Sequence, residues 1–268
     1  MRWQDRLSQF LILGIPALAL LGVTAAHGSL QSMALVASSI ALFFAAWWSA
    51  RQLLGLRNTA VFAALGIGLG WFAEQMGSSR GWFFGRYTYT DVLGPRLGDV
   101  PLVIPLMWFA LCFVGFTLAK LLLWREPQAA VHSWPRRLLT ALLAAMLVTA
   151  FDLGADPYFV FVLKAWIMQK TDGGWFGETL QGFAGWMLIS FLIVLLAQSL
   201  MRTEPNAQKP ASRTVELAAV LPIAIYASGM LFQIAFGHPI ETRVIAFFAM
   251  GIPILAAAAA WWQWRQGD

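Results

Sequence analysis

The stretch LLTALLAAMLVTAFDLGADPYF, residues 138–159, places Asp152 and Asp156 behind fourteen residues without a charged side chain. An apolar run of this kind approaches the length of about 20 residues that a helix needs to cross a bilayer. An ionised carboxylate within a membrane costs several kcal/mol, so we expect these acids to face the protein interior. Because residues four apart share a helix face, Asp152 and Asp156 lie side by side if the helix continues that far.

Similar apolar runs recur along the whole chain. Of its 268 residues, 59% are hydrophobic and 12% are charged, about half the charged fraction of a soluble domain. This composition predicts an all-α, polytopic membrane protein with a single integral membrane domain over residues 1–268. We expect about eight spans, with seven to nine possible, at 10–26, 30–50, 59–76, 100–123, 138–155, 183–201, 215–236 and 241–264.

The formal net charge is +5, but Lys and Arg cap the spans and fill short connections without forming a basic helix face. We therefore expect no nucleic-acid partner. With eight spans, 12 of the 18 basic residues fall on the side of the N-terminus and 6 on the other. The positive-inside rule then predicts a multi-pass protein of the cell inner (cytoplasmic) membrane with both termini in the cytoplasm.

Two predicted connections on the opposite side, 77–99 and 157–182, are rich in glycine and aromatic residues. They contain GWFFGRYTY (81–89) and TDGGWFG (171–177). An interfacial aromatic belt explains single rings, whereas the clustering favours loops that fold back over the bundle and cover a cavity. Residues 157–170 either continue the fifth helix past a kink at Pro157 or re-enter the membrane.

Glu74 is a third acid in an apolar setting, near the end of LGIGLGWFAEQ (65–75). Glu74 and Asp152 either form ion pairs with Arg80 or Arg86 or take part in acid chemistry, because burial favours the neutral carboxylic acid that can donate a proton. For Asp156 a further interpretation is that it is a turn residue before Pro157.

Other chemistries find little support in the sequence. The three histidines, His27, His132 and His238, lie in separate connections, and Cys112 lies alone in an apolar run, so we expect no metal site. The glycines of LGIGLG (65–70) indicate close helix packing, not phosphate binding.

Two motif sets occur in order along the chain. The first consists of Glu74, Gly81, Phe84, Gly85, Tyr87, Tyr89, 100–102, 104–106 and Trp108. The second consists of Asp152, Asp156, Pro157, Trp166, 174–177, Phe183, Gly185 and Trp186. On these residues the chain resembles the carotenoid biosynthesis membrane proteins of bacteria and archaea, a family that includes hydratases of bisanhydrobacterioruberin, γ-carotene and lycopene. The resemblance covers about residues 70–190 and departs from the family pattern at Met168, Thr179 and Gly182, where the family has Trp, Pro and Asn.

The resemblance implies a carotenoid 1',2'-hydratase, a hydro-lyase that adds water to the terminal double bond of an acyclic end group through a tertiary carbocation. No cofactor is expected, and the expected partners are a carotenoid from the bilayer, water and membrane lipids. A cyclase or isomerase that uses the same protonation and a non-catalytic carotenoid or lipid carrier are the alternatives.

The resemblance also implies roles for individual residues. Asp152 is the expected proton donor, and Glu74 is its partner or a base that orients water, with Asp156 beside them. Arg86 is expected to tune the acid. The expected substrate-binding wall consists of Tyr87, Tyr89, Trp108, Trp166, Trp175, Phe176 and Trp186.

Overall fold

A computed structural model describes residues 29–202 and 212–267; the predicted span 10–26 lies outside them. Within the described ranges, six helices are long and apolar enough to cross a membrane. They are α1 (Ser29–Arg80), α2 (Val103–Trp124), α3 (Trp134–Pro157), α4 (Leu180–Leu200), α5 (Arg213–Phe236) and α6 (Glu241–Gln266). The predicted helical membrane fold is confirmed, and the count of eight spans stays a prediction.

Helix α1 is a helical hairpin. It has 52 residues and would be about 78 Å long if it were straight. Its backbone leaves the helical conformation at Gly55, with φ 78° and ψ 162°. Phe43 and Phe62, one on each side of Gly55, both pack on Phe109 of α2, with ring centroids 5.5 and 6.1 Å away. The arms 29–54 and 56–80 therefore run antiparallel, in the positions of the predicted spans 30–50 and 59–76.

Short strands connect the helices at one end of the bundle. They are β1 (Tyr87–Tyr89), β2 (Arg96–Leu97), β3 (Val100–Pro101) and β4 (Trp166–Met168). β2 pairs with β3, and β1 pairs with β4 in antiparallel register, so that Tyr87 lies opposite Met168 and Tyr89 opposite Trp166. The pairing of β1 with β4 places the two aromatic connections at the same end of the bundle.

Helix α3 does not stop at Pro157. The chain continues as a π-helical turn, Tyr158–Val162, and then enters β4. Of the two alternatives for residues 157–170, continuation of the helix past Pro157 is confirmed as far as Val162, and residues 166–168 form β4. Asp156 lies inside the helix, so its alternative as a turn residue is wrong.

Other connections meet at the opposite end of the bundle. The side-chain amide of Asn58 exchanges two hydrogen bonds of 3.0 Å with the backbone of Arg202. Gln128, which follows α2, donates to the carbonyl of Leu53 at 3.4 Å. The turn at Gly55, the α2–α3 connection and the end of α4 therefore lie together, far from the paired strands.

The hairpin turn yields a stability prediction. The backbone angles of Gly55 fall in a region that only glycine occupies at low cost, so Gly55→Ala should destabilise the protein by about 1–3 kcal/mol. Gly68→Ala is the matched control, because an added Cβ there meets no atom within 4 Å and alanine favours helix. Thermal unfolding in detergent measures both variants, and equal behaviour would contradict the strained hairpin.

Candidate active site

The aromatic end of the bundle encloses a cavity of about 120 Å³, here called the acid cavity. Helices α1 to α4 and strands β1 and β4 contribute to its wall. Its lining includes eight of the residues expected from the sequence, namely Glu74, Tyr87, Tyr89, Trp108, Asp152, Asp156, Trp166 and Trp186. Glu74 and Asp152 therefore face one interior cavity, although 78 positions separate them in the chain.

Three donors hold the carboxylate of Glu74, which is 4% exposed. The hydroxyls of Tyr87 and Tyr89 donate to Oε2, the latter at 2.8 Å, and Nε1 of Trp108 donates to Oε1 at 2.8 Å. Burial and the neighbouring charge of Glu74 raise the pKa of both tyrosines well above the usual range, so both phenols stay protonated. An ionised carboxylate, which only accepts hydrogen bonds, suits these three donors.

Local sequence explains how the donors reach Glu74. Side chains alternate along a strand, so Tyr87 and Tyr89 of β1 share the buried face while Thr88 is exposed. Trp108 comes close because Gly70 lies one turn before Glu74 on α1. A Cβ on Gly70 would lie 2.6 Å from Cβ of Trp108. The packing role predicted for these glycines is confirmed at this position.

Asp152 has a different environment in the same cavity. It is 3% exposed, and its Oδ2 accepts no hydrogen bond from any described residue. Within the described part of the chain, neither Arg80 nor Arg86 forms an ion pair with Asp152 or Glu74. Arg86 is exposed and donates to the carbonyl of Ser79 at 3.4 Å. The ion-pair alternative is therefore wrong, and Arg86 does not line the cavity.

A fourth buried acid, Glu178, escaped the sequence analysis. It is 2% exposed and lies within hydrogen-bonding range of Asp156; such a bond requires a proton on one of the two carboxyls. Oε1 of Glu178 has no partner among the described residues. Burial raises the pKa of Glu178, and the hydrogen bond from Asp156 partly opposes this. Across residues 29–202 and 212–267, the structure shows no group of acids, histidines or cysteines that could hold a metal ion.

Glu178 looks like a solvated residue in the sequence because it follows TDGGWFG in a polar connection. In the structure, backbone bridges join Gly173 to Gly177 and Trp175 to Glu178. They turn the segment back on itself and bury the glutamate. Its place directly after the glycine–aromatic motif is the one sequence signal that could have singled it out.

Stacked aromatic rings surround the acids. Trp108 and Trp186 stack with centroids 4.4 Å apart. Trp166 stacks on Phe159 at 5.5 Å and meets the edge of Tyr89 at 5.8 Å. The negative faces of such rings attract positive charge, and most strongly where water is excluded.

Two more of the expected residues, Trp175 and Phe176, do not line the acid cavity. Nε1 of Trp175 donates to the carbonyl of Leu153 at 2.9 Å, which ties the connection to α3 beside Asp152. Phe176 packs edge-on against Trp175, with centroids 5.2 Å apart. By contrast, Met168 and Gly182, two of the departures from the family pattern, do line the cavity.

Comparison with known proteins agrees with the resemblance. The model of a family described as carotenoid biosynthesis protein matches residues 30–253. The chain belongs to this family. It is also 36% identical over 124 residues to a bisanhydrobacterioruberin hydratase of Haloarcula japonica. That match covers 46% of this chain and 39% of the hydratase, well below two thirds of the relative's length. No solved structure matches the chain.

The burial of Glu178 predicts a pH dependence of stability. Because its pKa is raised in the folded state, its stabilising contribution is complete below the unfolded value of about 4.3 and is lost as the pH rises through the folded value. Residue 178 carries no charge at any pH in Glu178→Gln. The melting temperature of this variant should therefore rise relative to that of the wild type as the pH increases from 4 to 8. Asp172→Asn, an exposed neighbour, is the control and should show no such trend. A constant offset between Glu178→Gln and the wild type would argue against this assignment.

Proposed function

We propose that this protein is a carotenoid 1',2'-hydratase, which adds water to the terminal double bond of an acyclic carotenoid end group. One observation carries the proposal: two carboxyls share an aromatic-lined cavity in a membrane protein, yet their hydrogen-bonding environments are opposite. Glu74 accepts three hydrogen bonds, whereas Asp152 has an oxygen without a partner. Membership of a carotenoid biosynthesis family and the hydratase name of the relative support the same reaction class.

The two environments suit an acid and a base. Without a donor to stabilise its charge, Asp152 is suited to the protonated form and to giving up that proton. Glu74 is held as a fixed negative charge by Tyr87, Tyr89 and Trp108, and it can stabilise a cation or accept a proton from water. Asp156 lines the cavity beside Asp152, and we assign a shared proton to Asp156 and Glu178, which does not itself line the cavity.

The reaction then follows in two steps. Asp152 gives its proton to the less substituted carbon of the terminal double bond, the π electrons form the new C–H bond, and a tertiary carbocation results. The oxygen of a water molecule bonds to that carbon and releases a proton to Glu74. Return of this proton to Asp152 restores both groups, so the net change is the addition of one water.

The wall of the cavity would protect the cation. The faces of Trp108, Trp186 and Trp166 stabilise positive charge without offering a nucleophile, and exclusion of bulk water limits side reactions. We propose that the segments 81–99 and 171–182 cover the cavity and admit water only at the end group. The buried tyrosines of β1, the β1–β4 pairing and the hydrogen bond from Trp175 to Leu153 support this arrangement.

The proposal includes a location and an orientation. The protein would lie in the cell inner membrane, with its termini and the Gly55 end of the bundle in the cytoplasm. The excess of Lys and Arg at that end supports this orientation. The carotenoid would enter from the bilayer, because its hydrocarbon chain is insoluble in water.

Expression in a lycopene-producing bacterial host, followed by mass spectrometry of the pigments, tests the reaction class. We expect products heavier than the substrate by one water. An isomer of unchanged mass would identify a cyclase or isomerase instead, and unchanged pigment that is retained by the protein would identify a carrier.

The role of Asp152 has its own test. Asp152→Asn keeps the shape of the side chain but removes the proton, so hydrated product per folded protein should fall by about 10²–10⁴-fold while pigment binding persists. Asp172→Asn, in an exposed position, is the control for loss of a carboxyl. An Asp152→Asn variant that folds poorly but is fully active per molecule would move the acid role to Glu74.

A further inference from the structure

A second cavity, of about 140 Å³, adjoins the acid cavity and has no part in the chemistry described above. The first arm of α1 and helices α2, α3 and α5 supply most of its wall. The two cavities share five lining residues, namely Ser39, Met107, Leu111, Phe151 and Phe159. The two cavities therefore adjoin along these five side chains.

The second cavity suits hydrocarbon. None of its lining residues is charged. The hydroxyls of Ser39, Tyr226 and Ser228 donate to backbone carbonyls at 2.7–2.9 Å. These three groups therefore have no free proton to donate to a ligand. The remaining surface comes mainly from aliphatic and aromatic side chains, and a polar ligand would lose its hydration there without compensation.

The second cavity extends away from the acids along α2. Met107 lines both cavities, and Leu111 and Val114 follow it on successive turns. This path is about 10 Å long at 1.5 Å per residue, and it starts one residue from Trp108, which binds Glu74. A linear molecule with its tip at the acids would thus direct its next segment toward the middle of the membrane.

We propose that this second cavity, the tail chamber, binds the polyene segment next to the reacting end group and thereby sets the depth at which the terminal double bond meets Asp152. This inference rests on the proposed function for the identity of the ligand. Adjacency to the acid cavity favours such a substrate over a membrane lipid, because an acyl chain brings no group on which the buried acids can act.

Three substitutions on α5 test the tail chamber. Ser228→Leu fills it and Phe232→Ala removes part of its wall. Leu231→Ala is the matched control, since Leu231 is adjacent on the helix but 50% exposed. Each purified variant is assayed with lycopene and with a short acyclic terpene hydrocarbon that carries the same terminal double bond, and the pigment that co-purifies from a lycopene-producing host is quantified by its visible absorption.

We expect Ser228→Leu to raise KM for lycopene by roughly tenfold or more, as a misfitted apolar group does in a pocket, and to reduce the bound pigment. KM for the short substrate should stay within about twofold of the wild type, because that substrate reaches only the acid cavity. Phe232→Ala should also weaken lycopene binding, which keeps the test open if Ser228→Leu folds poorly. Leu231→Ala should match the wild type.

Two outcomes would overturn the inference. Hydration of lycopene with an unchanged KM in both Ser228→Leu and Phe232→Ala would show that the polyene lies elsewhere. Equal losses with the short and the long substrate would show a general defect. Absence of hydration in the wild type would refute the proposed function alone, because the pigment-binding measurement still decides whether the tail chamber holds the polyene.

Discussion

The binding of Glu74 by Tyr87, Tyr89 and Trp108 is the interaction on which the candidate site depends. A carboxylate in a membrane interior costs several kcal/mol unless hydrogen-bond donors replace water. Here the donors come from β1 and from the start of α2, so satisfying one charge fixes the position of two separate segments against α1. An aromatic connection that would otherwise lie in the interface is thereby held to the end of the bundle.

The same interaction makes the four acids unequal. Glu74 takes all three donors, and none is left for Asp152, whose Oδ2 has no partner among the described residues. Asp156 and Glu178 lie within hydrogen-bonding range of each other, and Oε1 of Glu178 has no partner among the described residues. Unequal environments of this kind allow carboxyls of similar intrinsic acidity to serve as acid and base in one cavity. The chemistry that we propose therefore follows from the distribution of donors more than from the number of acids.

Both arms of the α1 hairpin contribute residues to the cavities. Because the chain reverses at Gly55, both arms of α1 pack against α2. The first arm contributes Ser39 to both cavities, and the second arm contributes Glu74 to the acid cavity. The close approach of α2 to α1 at Gly70 brings Trp108 next to Glu74. The acid cavity at the end of the bundle and the apolar tail chamber within it thus share part of their walls. This arrangement suits a ligand that is reactive at its tip and hydrophobic elsewhere.

The sequence by itself determined the helical membrane class and the approximate helix bounds and singled out Glu74 and Asp152, because apolar length and intramembrane charge are local properties. The expectation for Tyr87 and Tyr89 came from the family resemblance. Tertiary structure decided the rest. Glu178 is buried where backbone bridges turn its connection back on itself, and Arg86 and Trp175 do not line the acid cavity, although Tyr87 beside Arg86 does. The local motif marks the position of Glu178, but its burial beside Asp156, which is 22 positions away in the chain, depends on how the two segments pack together.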